Sequence, residues 1–207
     1  MSYGIVEGVS SVLSRRSTSP EDQRGQTRAK ILDATVQLLG EDRAFAELSV
    51  GEISGRAGVS RPTFYSYFQD KRALILALGD GFETDARTAA QPWLRNDTDD
   101  LRATLTGVLG AFVTHKATVG AVVEAATYDA DVAVFWREFH EWFIVNTVQR
   151  ATTSDPDLAR EDAEALAYSL VWMTERSFTE YLASPRVSEA ALLRAIERLW
   201  RTVVPVD

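Results

Sequence analysis

LSVGEISGRAGVSRPTFYSYFQDKRALILAL, residues 48–78, decides how the rest of the chain is read. Ser49 followed by Glu52 has the spacing of a capping box, which satisfies the free backbone donors at a helix start. Gly58 accommodates the left-handed residue that ends such a helix. Ser60 then caps a second helix, with Pro62 in its first turn, where a missing N–H costs little. Two short helices joined by Ala57-Gly58-Val59-Ser60 make a helix-turn-helix. In the second helix Phe64 and Phe68 are four residues apart and share a face, predicted to pack with Val59 on Ile53 and Ala57. The opposite face presents Arg61, Thr63, Tyr65, Ser66 and Tyr67. That set suits the major groove of DNA. Arg61 can grip guanine O6 and N7, the Thr63 methyl can meet thymine, and tyrosine hydroxyls can reach phosphates or base edges. Spacing alone leaves Tyr65 and Tyr67 equally compatible with half-buried surface aromatics.

Around this stretch lie further candidate phosphate contacts. Lys71 opens the next helix, where its charge and the helix dipole both favour an anion. Ser49 stands at another helix start. Arg24 and Arg28 lie on or beside a polar segment, Ser17–Gly25, expected to be a mobile arm that tracks the backbone or enters the minor groove. All three basic residues also fit ordinary solvated surface charges.

Charge is distributed unevenly. The 207 residues carry a net charge of −8, but residues 24–72 carry +2, residues 1–23 carry −1 and residues 73–207 carry −9. A small basic head on an acidic body that faces away from phosphates fits this asymmetry. Hydrophobic residues make up 45% of the chain, enough for a substantial core, and there is no cysteine. Disulfides, thiolate metal sites and cysteine nucleophiles are therefore excluded. The first twenty residues lack a basic start and an unbroken apolar stretch, and no run of about 18 apolar residues follows. The expected location is the cytoplasm, with no membrane partner.

Helical periodicity runs almost throughout, and strand signals are nearly absent. Ile31, Leu32, Ala34, Leu38 and Leu39 mark one face of a first helix over about 27–41. After the helix-turn-helix, further helices are predicted over about 70–94, 101–115, 117–127, 131–150, 159–183 and 188–203. The breaks fall at NDTDD (96–100), TTSDPD (152–157) and Ala183-Ser184-Pro185. The expected fold is all-α with about nine helices. It divides into an arm (1–23), a three-helix helix-turn-helix head (24–70) and a larger helical bundle (71–207) for ligand binding and dimerisation.

The run AGVSRPTFYSYFQDKRALILAL, together with TRAKILDATVQLL (27–39), resembles the signature of the TetR family of one-component repressors. The similarity covers about residues 26–78, with turn, recognition helix and following lysine at the family's spacing. It implies that Arg61, Thr63, Tyr65, Ser66, Tyr67 and Lys71 face DNA. Gly51 departs from relatives that place a longer polar contact residue there.

The body is loaded with aromatics at helical spacing: Phe112, Phe135, Trp136, Phe139, Trp142, Phe143, Trp172, Phe178 and Trp200. Such rings are ordinary core residues, but crowded rings on adjacent helices also line apolar ligand sites. Asn146, Thr174 and Glu175 lie among them as groups able to orient a ligand. THKA (114–117), the Trp142 segment, MTERSF (173–178) and the Trp200 segment resemble the ethionamide-resistance-repressor branch of the family. That resemblance implies a long apolar tunnel lined by Trp142, Asn146, Val171, Thr174, Glu175 and Trp200, with Phe112 nearby. Val171 stands where that branch carries an amide, so the tunnel's character is implied but not its ligand. The family also implies a homodimer through the last two helices. Leu192, Ile196, Leu199 and Val203, with Leu166, Leu170 and Met173, form stripes that suit either this interface or the chain's own core.

The expected partners are a double-stranded DNA operator, a small hydrophobic effector and a second copy of the chain, with no cofactor. An enzyme is the rival class. Neither His115 nor His140 has a glutamate three residues earlier, as a di-iron bundle requires, and two histidines supply zinc poorly. No Gly-rich phosphate loop or nucleophile elbow occurs. A helical adaptor that binds only protein is the third class, and the predicted outward set Arg61, Tyr65 and Tyr67 argues against it.

Overall fold

The structure, a computed structural model, describes residues 20–41 and 43–202, and these contain nine α-helices, one short 3-10 turn and no strand. Helix α1 spans Pro20–Leu39 and buries Ile31, Ala34, Leu38 and Leu39. It starts earlier than the sequence suggested, so residues 20–25 of the expected mobile arm are helical, and residues 1–19 lie outside the described residues. The periodic signal was missing because this part of the helix has no buried face. Pro20, Glu21 and Asp22 are nonetheless suited to a first turn by fixed φ and by charge.

A 3-10 turn at Phe45–Glu47, not foreseen from sequence, precedes α2 (Val50–Ala57). The α2 capping box is formed as expected, and Gly58 adopts φ 68°, ψ 31°. In α3 (Arg61–Tyr65) the Ser60 side chain accepts from the Thr63 backbone N–H. Phe64 and Phe68 are both buried, with ring centroids 5.7 Å apart.

Asp70 caps α4 (Lys71–Leu94), and Asp100 caps α5 (Leu101–Thr114). Then follow α6 (Lys116–Ala125), α7 (Ala130–Ser154), α8 (Arg160–Ala183) and α9 (Glu189–Arg201). Helix α7 runs four residues past its expected end, through Thr152 and Thr153. Their hydroxyls bond back to the Val148 and Gln149 carbonyls, which lets the polar run stay helical. Helices α4 and α7 approach closely at Gly79, where an added Cβ would meet the Phe135 ring at 2.7 Å.

Head and body do not have separate cores. The main cluster of buried apolar residues is continuous from Ile31 in α1, through Phe64, Phe68 and Phe82, to Trp200 in α9. A small satellite of Val148, Ala163 and Ala167 joins α7 to α8. Arg150, 2% exposed, ties α7 to the end of α4. Its guanidinium donates to the Trp93 carbonyl and to Asp99 Oδ1 (2.8 Å), and lies 4.1 Å from the centre of the Trp93 ring.

The two apolar stripes assigned to the last helices are divided by the packing. On α9 the inward face is Leu193, Ile196 and Trp200, while Leu199 is exposed and Val203 lies outside the described residues. On α8 Leu170 is buried, and Leu166 and Tyr168 are exposed. Ile196 and Leu170 are therefore part of the chain's own core. No single described helix is long and apolar enough to cross a membrane.

Candidate functional site

Two places collect the candidate residues: the exposed face of α3 with the adjoining part of α1, and a slot between α5, α7, α8 and α9. In the head, Arg61, Tyr65 and Ser66 are exposed, whereas Thr63 and Tyr67 are half-buried. Tyr65 is 55% exposed and stands edge-on against Phe64, with ring centroids 5.5 Å apart. Thr63 Oγ1 lies 2.7 Å from Ser60 Oγ, and Ser66 Oγ donates to the Pro62 carbonyl at 3.1 Å. Tyr67 packs against the core, and the Arg24 guanidinium lies 5.8 Å from its ring centre. Arg28 lies 5.5 Å from the centre of the Phe68 ring. Both arginines thus project from a helix fastened to the recognition segment rather than from a mobile arm. Gln23, Arg24, Thr27, Ser66 and Tyr67 line an open groove between α1 and the end of α3.

Gly51 leaves room for the Arg61 side chain. The Arg61 guanidinium lies across α2 at this residue, in space that any Cβ would occupy. The longer side chain absent at position 51 is therefore replaced, in space, by the side chain of Arg61.

Two expected phosphate contacts are already engaged inside the protein. Lys71 Nζ donates to the carbonyls of Phe45 (2.8 Å) and Ala46 (3.1 Å) and lies 4.8 Å from the centre of the Phe45 ring. Burial lowers its pKa from the ordinary lysine value. From the other side, Glu124 in α6 accepts the Phe45 and Ala46 backbone N–H groups at 2.9 and 3.0 Å. The 3-10 turn is thus clasped between the first residue of α4 and the last turn of α6. At Ser49, Glu52 Oε2 accepts the backbone N–H (2.9 Å) and the hydroxyl (2.7 Å), so a carboxylate stands where a phosphate was expected. These bonds, with the Arg43 ion pair, lower the Glu52 pKa to about 2.

In the body, Phe112, Val171, Thr174, Glu175 and Trp200 come together as expected. With Val108, Phe139, His140, Phe143 and Phe178 they line a slot with a cavity volume of about 40 Å³. A second slot of about 50 Å³ adjoins it, walled by Ala90, Trp93 and Leu94 of α4, Leu101, Thr104 and Leu105 of α5, and Thr147 of α7. The two share Val108, Phe143, Thr174 and Trp200. At this shared wall the Trp200 indole N–H donates to Thr174 Oγ1 at 2.8 Å. Both slots are narrow.

Trp142 and Asn146 are not in either slot. Asn146 Nδ2 donates to the Trp142 carbonyl of its own helix (2.7 Å), and Trp142 lies under the Arg87 guanidinium, 5.0 Å from its ring centre. Their places are taken by Phe143 and Thr147, one residue further along α7. Sequence reasoning also missed His140 in the wall. Its nearness to Trp136 and Phe139 was the available signal. Among the described residues no group of three His, Asp or Glu side chains is placed to hold a metal ion.

A helix-turn-helix head carrying a capped, exposed α3, fused to a helical body with an apolar slot, defines a class of DNA-binding transcription regulators. Residues 31–78 match the family described as bacterial regulatory proteins, tetR family, and residues 101–204 match the C-terminal domain of the transcriptional regulator EthR. The chain is 34% identical over 203 residues to the HTH-type transcriptional regulator EthR of Mycobacterium tuberculosis, covering 92% of this chain and 91% of that one. Against the EthR of Mycolicibacterium smegmatis it is 32% identical over 195 residues, covering 90% and 88%. A TerR/AcrR-family transcriptional regulator from Aquifex aeolicus shares the fold with a TM-score of 0.69 at 18% identity, over 86% of this chain and 99% of that one. The chain belongs to the TetR family of helix-turn-helix transcriptional regulators and is EthR-like.

Proposed function

We propose that this regulator is a cytoplasmic homodimeric repressor that leaves its operator when a small apolar ligand enters the body. In this reading residues 24–70 are the DNA-binding head, and residues 71–207 sense the ligand and dimerise. Arg61, Thr63, Tyr65, Ser66 and Tyr67 meet the major groove, and Arg24 and Arg28 reach phosphates along the α1 groove. At Lys71 and Ser49 the phosphate contacts fall to first-turn N–H groups of α4 and α2 other than those that Asp70, Ser49 and Glu52 already engage. Exposed Leu166 and Leu199 belong to the dimer face. Two linked heads multiply the affinity that one small head supplies.

One observation carries the reading: α4 touches both ends of the proposed switch. Its first residue holds the turn beneath the head, and Ala90, Trp93 and Leu94 wall the second slot. Phe82, midway, packs on Phe112 and Phe139 of the first slot at centroid distances of 4.9 and 5.0 Å. The slots are too narrow for a bulky ligand as they stand. Occupancy must spread their walls and part Trp200 from Thr174, which displaces α4 and the head it holds. The ligand acts only through its preference for the spread state.

The test is a gel shift on the DNA flanking the gene, with and without a ligand that raises the chain's melting temperature. Ligand-dependent loss of the shifted band is expected. A ligand that binds the body and leaves operator affinity unchanged sinks the mechanism.

A further inference from the structure

We infer that the first slot holds a dedicated subsite for a protonated amine, so the effector is an apolar molecule that carries one. This rests on the ligand-sensing reading above and specifies its chemistry. His140 is 1% exposed. Its Nδ1 lies 2.6 Å from the Trp136 carbonyl oxygen, and a carbonyl only accepts, so Nδ1 carries a hydrogen. In the neutral ring Nε2 is then a bare acceptor, and it has no hydrogen-bond partner. The ring cannot turn away, because Trp172 stacks on one face at a centroid distance of 3.8 Å and Trp136 and Phe139 meet it edge-on.

Opposite Nε2 stands Glu175 Oε2, at 3.6 Å. Glu175 is itself buried, and its other oxygen accepts the Thr179 hydroxyl at 2.6 Å. Nε2 and Oε2 therefore face each other in the wall, just beyond hydrogen-bonding distance. They are the only titratable side chains among the residues lining a slot otherwise made of Val108, Phe112, Phe139, Phe143, Val171, Thr174, Phe178 and Trp200. Buried polar atoms that face each other without a bond carry a desolvation cost in such surroundings, and a charged donor placed between them relieves it. An ammonium group supplies the N–H bonds and the balancing charge together. A hydroxyl supplies one bond without the charge, and a plain hydrocarbon supplies neither.

The experiment titrates the full chain with three probes of matching shape: 4-phenylbutylamine, 4-phenylbutanol and butylbenzene, followed by calorimetry. The amine is expected to bind about tenfold or more tighter than butylbenzene, with the alcohol between, as charge-assisted bonds exceed neutral ones. In Glu175→Gln and in His140→Phe the amine's advantage over butylbenzene, both measured on the same variant, should fall to about twofold or less. Glu175→Gln preserves shape, so it decides the matter if the His140 variant fails to fold. If butylbenzene binds and the amine binds no tighter, or if Glu175→Gln leaves the preference intact, the subsite is refuted and the apolar slot stands. If none of the three binds, the slot itself is not a ligand site and both readings fall.

Discussion

The head and the body use polar groups in opposite ways. In the head, nearly every signal acts within a few residues of itself: Ser49 on Glu52, Ser60 on Thr63, Phe64 beside Phe68. The product is a surface with polar groups facing out. In the body several polar groups face in and depend on a partner far along the chain. Glu124 holds a turn 79 residues away, and Arg150 reaches Trp93 across 57 residues. The difference teaches that a reading surface can be built from local rules, whereas a cavity and its coupling need packed helices.

The continuous core gives the sharpest way to break this contrast. Phe64→Ala should cost about 3–5 kcal/mol, as for other fully buried phenylalanines. If head and body share one core, a denaturant melt followed by far-UV circular dichroism will show a single weakened transition. An early, separate transition would make the head an independent unit.

Next comes the clasp on the 3-10 turn. Glu124→Ala leaves the Phe45 and Ala46 N–H groups and the Lys71 ammonium without their carboxylate, which should cost about 1–3 kcal/mol. It should also reduce the ligand's effect on operator affinity, read as the ratio of Kd values with and without ligand. An unchanged ratio would remove α6 from the coupling route.

A smaller effect is expected on the outer face of α3. Tyr65→Ala should weaken operator binding about tenfold, or roughly 1.4 kcal/mol, while stability stays within about 0.5 kcal/mol because the ring is largely exposed. Fluorescence anisotropy on a labelled operator with a parallel thermal melt separates the two. Equal loss of folding and binding would place Tyr65 in the core.

The smallest effect lies in the α2 cap. The Glu52 carboxyl is held at about 2, below its ordinary 4.5, chiefly by the Ser49 hydroxyl and backbone N–H and then by Arg43. A lowered folded-state pKa means the stabilisation is complete above about 4.5 and lost as pH falls towards 2. Glu52→Gln should therefore flatten the acid side of the melting profile in that window. An identical acid decline in both proteins would show that the cap does not titrate as described.

How much was legible beforehand follows the same division. The helix order, the capped helix-turn-helix and the pairing of Phe64 with Phe68 were readable, because caps and i,i+4 faces are set by spacing along one helix. Five of the seven slot residues named from sequence also fall in the slot. Trp142 and Asn146 do not, and the reason is rotational: one residue turns a helix by about 100°. Helix α7 is aromatic on several faces, with Trp136, Phe139, Trp142 and Phe143, so its periodicity does not say which face meets α8. The inward bonding of the Lys71 side chain was hidden for a similar reason. Its position at a helix start is a local fact, but the turn that captures its ammonium was not foreseen.

The amino-acid sequence by itself determined the helices, their caps, the DNA-reading motif and the charge contrast between head and body, all properties of short range. Tertiary structure alone decided that Lys71 turns inward, that Arg61 lies over Gly51, and that Phe143 rather than Trp142 walls the slot. It also decided that His140 meets Glu175, 35 residues further on. Those outcomes depend on which helix faces pack together, and packing is settled by the whole buried surface rather than by any one segment.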